Sequence, residues 1–360
     1  MRCLLKTKEL SIAGYYENWV DDNSIFMSNE IMKELAINAG DILALEKGLP
    51  LIAKNFPESI INIANNNLVI VSERNFKNLQ KSDYLKEKVS YSMMIGCDPE
   101  FILVSKDNNI IDASSIFPAY GKLGSDGILG EIRPEPSSNV NVLINNMKNL
   151  IRQIKNKTEH FPIGMSSYKG YVSGFHIHFQ FPEEIIKYCM KNSAEVMKDI
   201  VQVLDYYIGI PAMLFDESDA RRLGQSCYGK PGDFRVSNFT MEYRVPGGIF
   251  LRHPRYVARL LSTAHCVMKN ILGKLLVKTN GWSLGIEDSN FVSHFYKTPD
   301  KNVVRNALLS PDRGPASLLL NTCKYGFLSK MYIEKEEEEC ISEFLNVSKM
   351  ECSEILTDNW

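Results

Sequence analysis

No C-x-x-C pair occurs in the chain: its eight cysteines (3, 97, 189, 227, 266, 323, 340 and 352) fall at irregular spacings. The opening MRCLLKTKEL also lacks the apolar core and small-residue cleavage site of a signal peptide, so reduced thiols in a cytoplasmic protein are expected. No uninterrupted apolar run approaches the length needed to cross a bilayer, which excludes membrane spanning. Charge of one sign is scarce too. Lys and Arg number 41 against 43 Asp and Glu, a net charge of -2, and without a broad basic field a main role in holding nucleic acid is disfavoured. What remains, 44% hydrophobic and 23% charged residues in 360, is a globular composition with room for one large core and a smaller unit.

Residues 1–90 read as a small separate α+β or β-barrel unit. SIFMSNEIMKELAINAGDILAL predicts a strand, a helix capped by Ser28, a Gly-Asp turn and another strand, before the β-rich NLVIVSERNF. The polar stretch 77–92 marks the boundary or else forms a surface helix. Residues 91–360 make the second domain, and no internal repeat is found. MMIGCDPEFILV is an apolar strand interrupted by Asp98 and Glu100, and KDNN turns it into IIDAS as a hairpin. GKLGSDGILG precedes a strand rather than a helix, so its glycines suggest a flexible turn rather than a phosphate cradle. Val140, Leu143, Ile144, Met147, Leu150, Ile151 and Ile154 recur at helical spacing behind the caps Ser137 and Ser138. A second helix runs from Pro182 to about Ile208. DESDARRLGQSCYGKPGDFR has the look of a loop over a site. Past Pro254 the chain is mainly helical, with EKEEEEC as a solvated helix face.

GFHIHFQF, residues 174–181, sets Phe175, Ile177, Phe179 and Phe181 on one side of a strand and His176, His178 and Gln180 on the other. TMEYRVP likewise puts Thr240, Glu242 and Arg244 on one face, and EIRPEP does so with Glu131, Arg133 and Glu135 if extended. Asp98 and Glu100 share a face in the same way, and Arg221, Arg222 and Arg235 come from the polar loop. A solvated sheet face explains any one of these residues, but it explains the set poorly, because no lysine stands at the alternating positions. Carboxylates and imidazoles on a stiff sheet suit Mg²⁺ or Mn²⁺, and arginines match phosphate oxygens. His253 and His265 read as structural, and the cysteines as core thiols.

In this order, CDPEF, SDG…GEIRPEP, GFHIHF, RRLG…YGKPGDFR and MEYRVP resemble the phage-encoded carboxylate-amine ligases of the second type, over about residues 94–250. The resemblance implies an α+β fold of the glutamine synthetase-like kind, a curved antiparallel sheet backed by helices. It implies an ATP-dependent ligase, with Mg²⁺ or Mn²⁺, that forms an amide or isopeptide bond through an acyl phosphate. Glu100, Glu131, His176 and Glu242 would be metal ligands, with Glu135 a weaker one. His178, Arg133 and Arg244 would contact ATP phosphates, and Arg235, Arg244, Arg221 or Arg222 would stabilise the transferred phosphoryl group. The first strand carries Asp98 beside Glu100, where glutamine synthetases use a Glu-x-Glu pair. Asp98, Glu135, Asp216 and Asp219 all stay open as the base that deprotonates the amine. The partners implied are a carboxylate and an amine, each on a small molecule, peptide or protein side chain, in host cytoplasm if the chain is phage-encoded. A homo-oligomer is compatible, since related folds often assemble. The competing readings are an ATP-dependent phosphotransferase of the same fold class, a zinc hydrolase built on the H-x-H pair, and a non-enzymatic binding protein with a degenerate site.

Overall fold

The computed structural model describes residues 2–6, 11–16, 24–27, 29–34, 37–45, 51–55, 68–71, 85–89, 93–183, 185–186, 194–216, 218–224, 229–237, 240–279, 292–293 and 296–360. Contacts divide the chain into two compact units. The first holds residues 1–91, 270–288 and 326–334, and the second holds 92–269, 289–325 and 335–360.

In the first unit the strands are β1 (Arg2–Lys6), β2 (Ser11–Tyr16), β3 (Ser24–Met27), β4 (Ile42–Leu45), β5 (Leu51–Asn55), β6 (Leu68–Val71) and β7 (Leu85–Val89). They form a mixed seven-stranded sheet in the order β1-β2-β6-β3-β5-β4-β7. The strand, helix, turn and strand expected over 24–45 are present, with helix α1 at Asn29–Glu34. The proposed cap Ser28 lies outside the described residues. Of the stretch 77–92, the described residues 85–89 form β7 rather than a surface helix, with Val89 and Lys88 paired to Ile42 and Leu43 of β4.

The second unit is built on an antiparallel sheet in the order β10-β11-β8-β15-β17-β16. These strands are β8 (Ile95–Val104), β10 (Leu123–Asp126), β11 (Leu129–Ile132), β15 (Phe175–Gln180), β16 (Phe234–Ser237) and β17 (Thr240–Tyr243). The short strands β9 (Ile110–Ile111) and β12 (Phe161–Ile163) also pair with β8, the former as the expected hairpin, and β13 (Ser167–Tyr168) pairs with β14 (Tyr171–Val172). The glycine-spaced segment is not a loose turn. It is the β10–β11 hairpin, reversed at Gly127, whose φ of +56° suits glycine.

One face of the sheet is apolar. Ile95, Cys97, Phe101, Leu103, Phe175, Ile177, Phe179, Met241 and Tyr243 are buried along it. Each fully buried aromatic or aliphatic side chain stabilises this layer by roughly 1.5–3 kcal/mol. Helix α2 (Val140–Ile154) covers it with Val140, Leu143, Met147, Leu150, Ile151 and Ile154, and Met147 Sδ lies 3.7 Å from Cys97 Sγ. Its cap is Asn139, whose side chain accepts from the amides of Asn141 and Val142, so the expected Ser137 and Ser138 stand two residues and one residue too early. Helical structure continues as α3 (Ala194–Leu204), a π-helical turn at Asp205–Gly209, and α4 (Ile210–Phe215), beyond the expected end at Ile208. The polar stretch 216–235 is not all loop, since it contains the four-residue helix α5 (Ala220–Leu223) and the start of β16.

Beyond Pro254 the expected helices are α6 (Pro254–Thr279), α7 (Lys301–Leu309), α8 (Gly314–Lys330), α9 (Glu338–Leu345) and α10 (Leu356–Asn359). The acidic run 334–339 is not simply solvated: Glu337 lies 2.9 Å from His265 and Glu339 2.6 Å from Arg255. Among the described residues, no helix is long and apolar enough to cross a membrane.

Candidate active site

Strand register brings the polar residues together on the face opposite the core. Directly opposed residues in an antiparallel pair project to the same side. Arg235 of β16 opposes Glu242 of β17, which opposes His178 of β15; His176 opposes Asp98 of β8, and Glu100 opposes Glu131 of β11. Thus one alternating set per strand makes a continuous charged surface.

At its centre, ligand-type atoms of Asp98, His178 and Glu242 all lie within 4.8 Å of one another. His178 Nε2 is 2.9 Å from Asp98 Oδ1. His176 Nδ1 is 3.4 Å from Glu242 Oε1 and 3.7 Å from Asp98 Oδ1. One strand over, Glu100 and Glu131 are both buried, and Glu100 Oε2 accepts from the Gly174 amide at 2.6 Å. Gly174 must lack a side chain here, because a Cβ would stand 2.5 Å from both His176 Nε2 and an Arg221 guanidinium nitrogen.

Burial and charge set the protonation states. His176 is 3% exposed. Burial first, then the positive charges of Arg221 and Arg244, hold its pKa well below that of a free imidazole, so the ring is neutral and a lone pair is available. His178 goes the other way: burial lowers its pKa, but the hydrogen bond and charge of Asp98 and the charge of Glu242 outweigh it and raise the result. Burial pushes Glu100 up to about 7 against the opposing pull of Arg221 and the Gly174 amide, with Asp126 and Asp98 adding to the rise. Burial, then Asp98, likewise raises Glu242.

The arginines divide by location. Arg244 Nε is 3.0 Å from Glu242 Oε1, and Arg235 stands exposed on strand β16 rather than in a loop. Arg133 donates to Glu131 and, at 3.1 Å, to the Gly121 carbonyl. Arg221 is buried and donates to the carbonyls of Arg244, Val245 and Pro246 at 3.0–3.4 Å. Arg222 is not brought to the sheet face: it is bound to the Leu308 and Ser310 carbonyls at 2.7 and 2.6 Å and to Asp219. Glu135 also stands apart, 64% exposed and 2.6 Å from Lys122. Asp98, two residues from Glu100 and so on the same face, joins the cluster although the resemblance assigns it no ligand role. Asp126 and the Gly174 amide carry no signal in the sequence, because only the hairpin and the strand register bring them near Glu100.

The family described as phage phiEco32-like COOH.NH2 ligase type 2 matches residues 95–308, more than half of the chain. No curated protein matches. Among solved structures, a bifunctional glutathione synthetase from Pasteurella multocida is similar at 12% identity and a TM-score of 0.43, over 71% of this chain and 46% of that one. The chain therefore spans a little under half of that synthetase. A glutamate–cysteine ligase from Francisella tularensis, solved with AMP, is similar at 11% identity and a TM-score of 0.41, over 72% of this chain and 83% of that one. A novel glutamine synthase homolog is similar at 11% identity and a TM-score of 0.32, over 71% of each chain.

Proposed function

The chain belongs to the phage phiEco32-like COOH.NH2 ligase type 2 family, and on that premise we propose that its polar sheet face joins a carboxylate to an amine with ATP, through an acyl phosphate. What supports this reading above all is the convergence of Asp98, His178 and Glu242 beside the guanidinium of Arg244.

The donor set fits a hard divalent cation. It consists of carboxylate oxygens and imidazole nitrogens, with His176 neutral; burial first, and neighbouring carboxylates second, raise the pKa values of Glu100 and Glu242, and a bound cation would favour their ionised forms. From Glu131 to Glu242 the sheet spans three strand spacings, about 14 Å, whereas ligand bonds are about 2.1 Å for Mg²⁺. One ion cannot reach both ends. Asp98, His178, Glu242 and His176 would hold one Mg²⁺ or Mn²⁺, and Glu100 with Glu131 a second. When bound, the ions neutralise phosphate oxygens and align an in-line transfer.

The chain's own groups supply the rest. Arg244 and Arg235, at the β16–β17 edge, offer guanidinium forks to the phosphates of ATP and to the charge that grows on the transferred phosphoryl group. The substrate carboxylate oxygen attacks the γ-phosphorus and ADP leaves. The amine nitrogen then attacks the acyl carbon, inorganic phosphate departs and the amine gives up a proton.

Calorimetric titration of Mn²⁺ and ATP into wild type and Glu242→Gln tests the site. Wild type should bind both, and the variant should bind Mn²⁺ at least tenfold more weakly with an unchanged circular dichroism spectrum. Equal Mn²⁺ affinity in the two proteins overturns the assignment. Glu131→Gln and Arg244→Ala should abolish turnover while folding normally. Mass spectrometry of cells expressing wild type or Glu131→Gln should reveal a condensation product only with the former.

A further inference from the structure

Arg235, the guanidinium offered to ATP from the outer edge of the sheet, sits on the strand that packing holds least. Among the described residues β16 pairs with β17 alone, and Arg235, Val236 and Ser237 are all exposed. A cavity of about 400 Å³ opens beside the start of the strand, lined by Gln202, Asp205, Gly232, Phe234 and Arg305 among others, so helices α3 and α7 do not close over it. An edge strand with few buried contacts opens at low cost. Something other than packing must fix where Arg235 stands.

The fixing point lies in the turn that leads into the strand. Pro231 is buried, Gly232 has a φ of +83°, and the Asp233 amide donates to the Lys230 carbonyl at 2.9 Å, the marks of a type II turn over 230–233. Such a turn uses the Asp233 amide internally and leaves the Gly232 amide to an outside acceptor. That acceptor is Asp205, the first residue of the π-helical turn. The same carboxylate is 6% exposed and accepts from Tyr243 Oη at 2.8 Å. Its two bonds do different things. Tyr243 belongs to β17, which is paired to β15 on one side and β16 on the other, so that strand is held without Asp205. The ladder between β16 and β17, by contrast, ends where the Arg244 amide donates to the Asp233 carbonyl at 3.1 Å, and beyond it the Gly232 bond is what joins the turn to the helical layer.

We propose that Asp205 is a positioning residue: by holding the 230–233 turn from the helical layer it keeps β16 in register, and so keeps Arg235 opposite Glu242, ready for the phosphates of ATP. That Arg235 meets phosphate rests on the ligase reading above; that Asp205 holds the strand does not.

The test compares the full chain as wild type, Asp205→Ala, Asp205→Asn and Tyr243→Phe, by amide hydrogen exchange with mass spectrometry and by calorimetric titration of Mn²⁺ and then of ATP in saturating Mn²⁺. Asp205→Ala should speed exchange across 229–237 at least tenfold and weaken ATP binding at least tenfold. Its Mn²⁺ affinity should stay within twofold of wild type, because Asp98, His178 and Glu242 lie on β8, β15 and β17, each flanked by strands on both sides. Asp205→Asn should stay within threefold of wild type throughout: its amide oxygen still accepts from Gly232, and its NH₂ group donates to the Tyr243 hydroxyl, which can accept as well as donate. Tyr243→Phe should also stay within threefold, since the Gly232 bond survives. Should Asp205→Ala fold poorly with a buried hydroxyl unpaired, Asp205→Ala/Tyr243→Phe removes both partners and carries the same expectation. Unchanged exchange in the alanine variants, faster exchange with ATP affinity retained, or a loss in Tyr243→Phe as large as in Asp205→Ala overturns the proposal. Should exchange quicken as expected while wild type binds no ATP at all, the hold on β16 stands and the ligase reading falls.

Discussion

Replacing Arg221 by methionine removes a cation that the fold has built around. Its guanidinium donates to three successive carbonyls, those of Arg244, Val245 and Pro246, and two glycines, Gly174 and Gly229, leave the space it fills. Glu100, Asp216 and Asp233 lie close enough to interact with its charge. Leaving buried charges without their partner costs about 3–5 kcal/mol. Here the loss should fall near the lower end, about 3 kcal/mol, because Glu100 already titrates at about 7 and can take up a proton instead. In a unit of this size that lowers the melting temperature by about 6–12 °C. The deficit should also depend on pH. Without Arg221 the folded-state pKa of Glu100 rises further above its unfolded value, so the stability the variant retains below pH 4.5 is lost as pH rises through the new folded value. The gap between variant and wild type therefore widens from pH 5.5 to pH 8. Scanning calorimetry at both pH values measures it, with Arg221→Lys as an intermediate that restores charge but not the fork. A melting temperature within 2 °C of wild type at pH 8, or a gap independent of pH, refutes the reasoning.

Asp205 supplies a second pH test. It is buried, accepts from Tyr243 Oη at 2.8 Å, and burial pushes its pKa from 3.8 up to about 7. Its neutral form is favoured in the fold, so its own contribution to stability is fully present below pH 3.8 and falls by roughly 2 kcal/mol between pH 5.5 and 8. Asp205→Asn should remove about that much of the pH dependence in urea denaturation and leave the part due to Glu100; parallel pH profiles would contradict it. Gly174→Ala should push the His176 ring aside and weaken Mn²⁺ binding by about 10–100-fold, read by electron paramagnetic resonance, and unchanged affinity would show that the ring does not touch the ion.

Strands β8, β15 and β17 were legible from alternation alone, because each has a face of Phe, Ile, Met or Tyr and a face of acids, imidazoles or threonine. Helix α2 was legible from its 3.6-residue period, but its cap was misplaced by competing serines, which cannot be ranked without backbone geometry. Arg221 and Arg222 resembled phosphate contacts because a polar, glycine-bearing stretch reads the same whether its guanidiniums meet solvent or buried carbonyls. Both in fact close carbonyl groups inside the unit. Asp98 illustrates a further limit: its place on the face followed from its period of two, but its neighbours followed only from pairing with β15, a contact made across more than seventy positions of chain.

Strand β8 touches β9, β11, β12 and β15 at once. A single-residue deletion near its start would trade the two sides of the strand wherever the partners held their places, turning Cys97 and Phe101 outward and driving Asp98 and Glu100 into the packing against α2. Homologous chains are therefore expected to vary in length in the turns that bound this strand and to keep its ten residues uninterrupted.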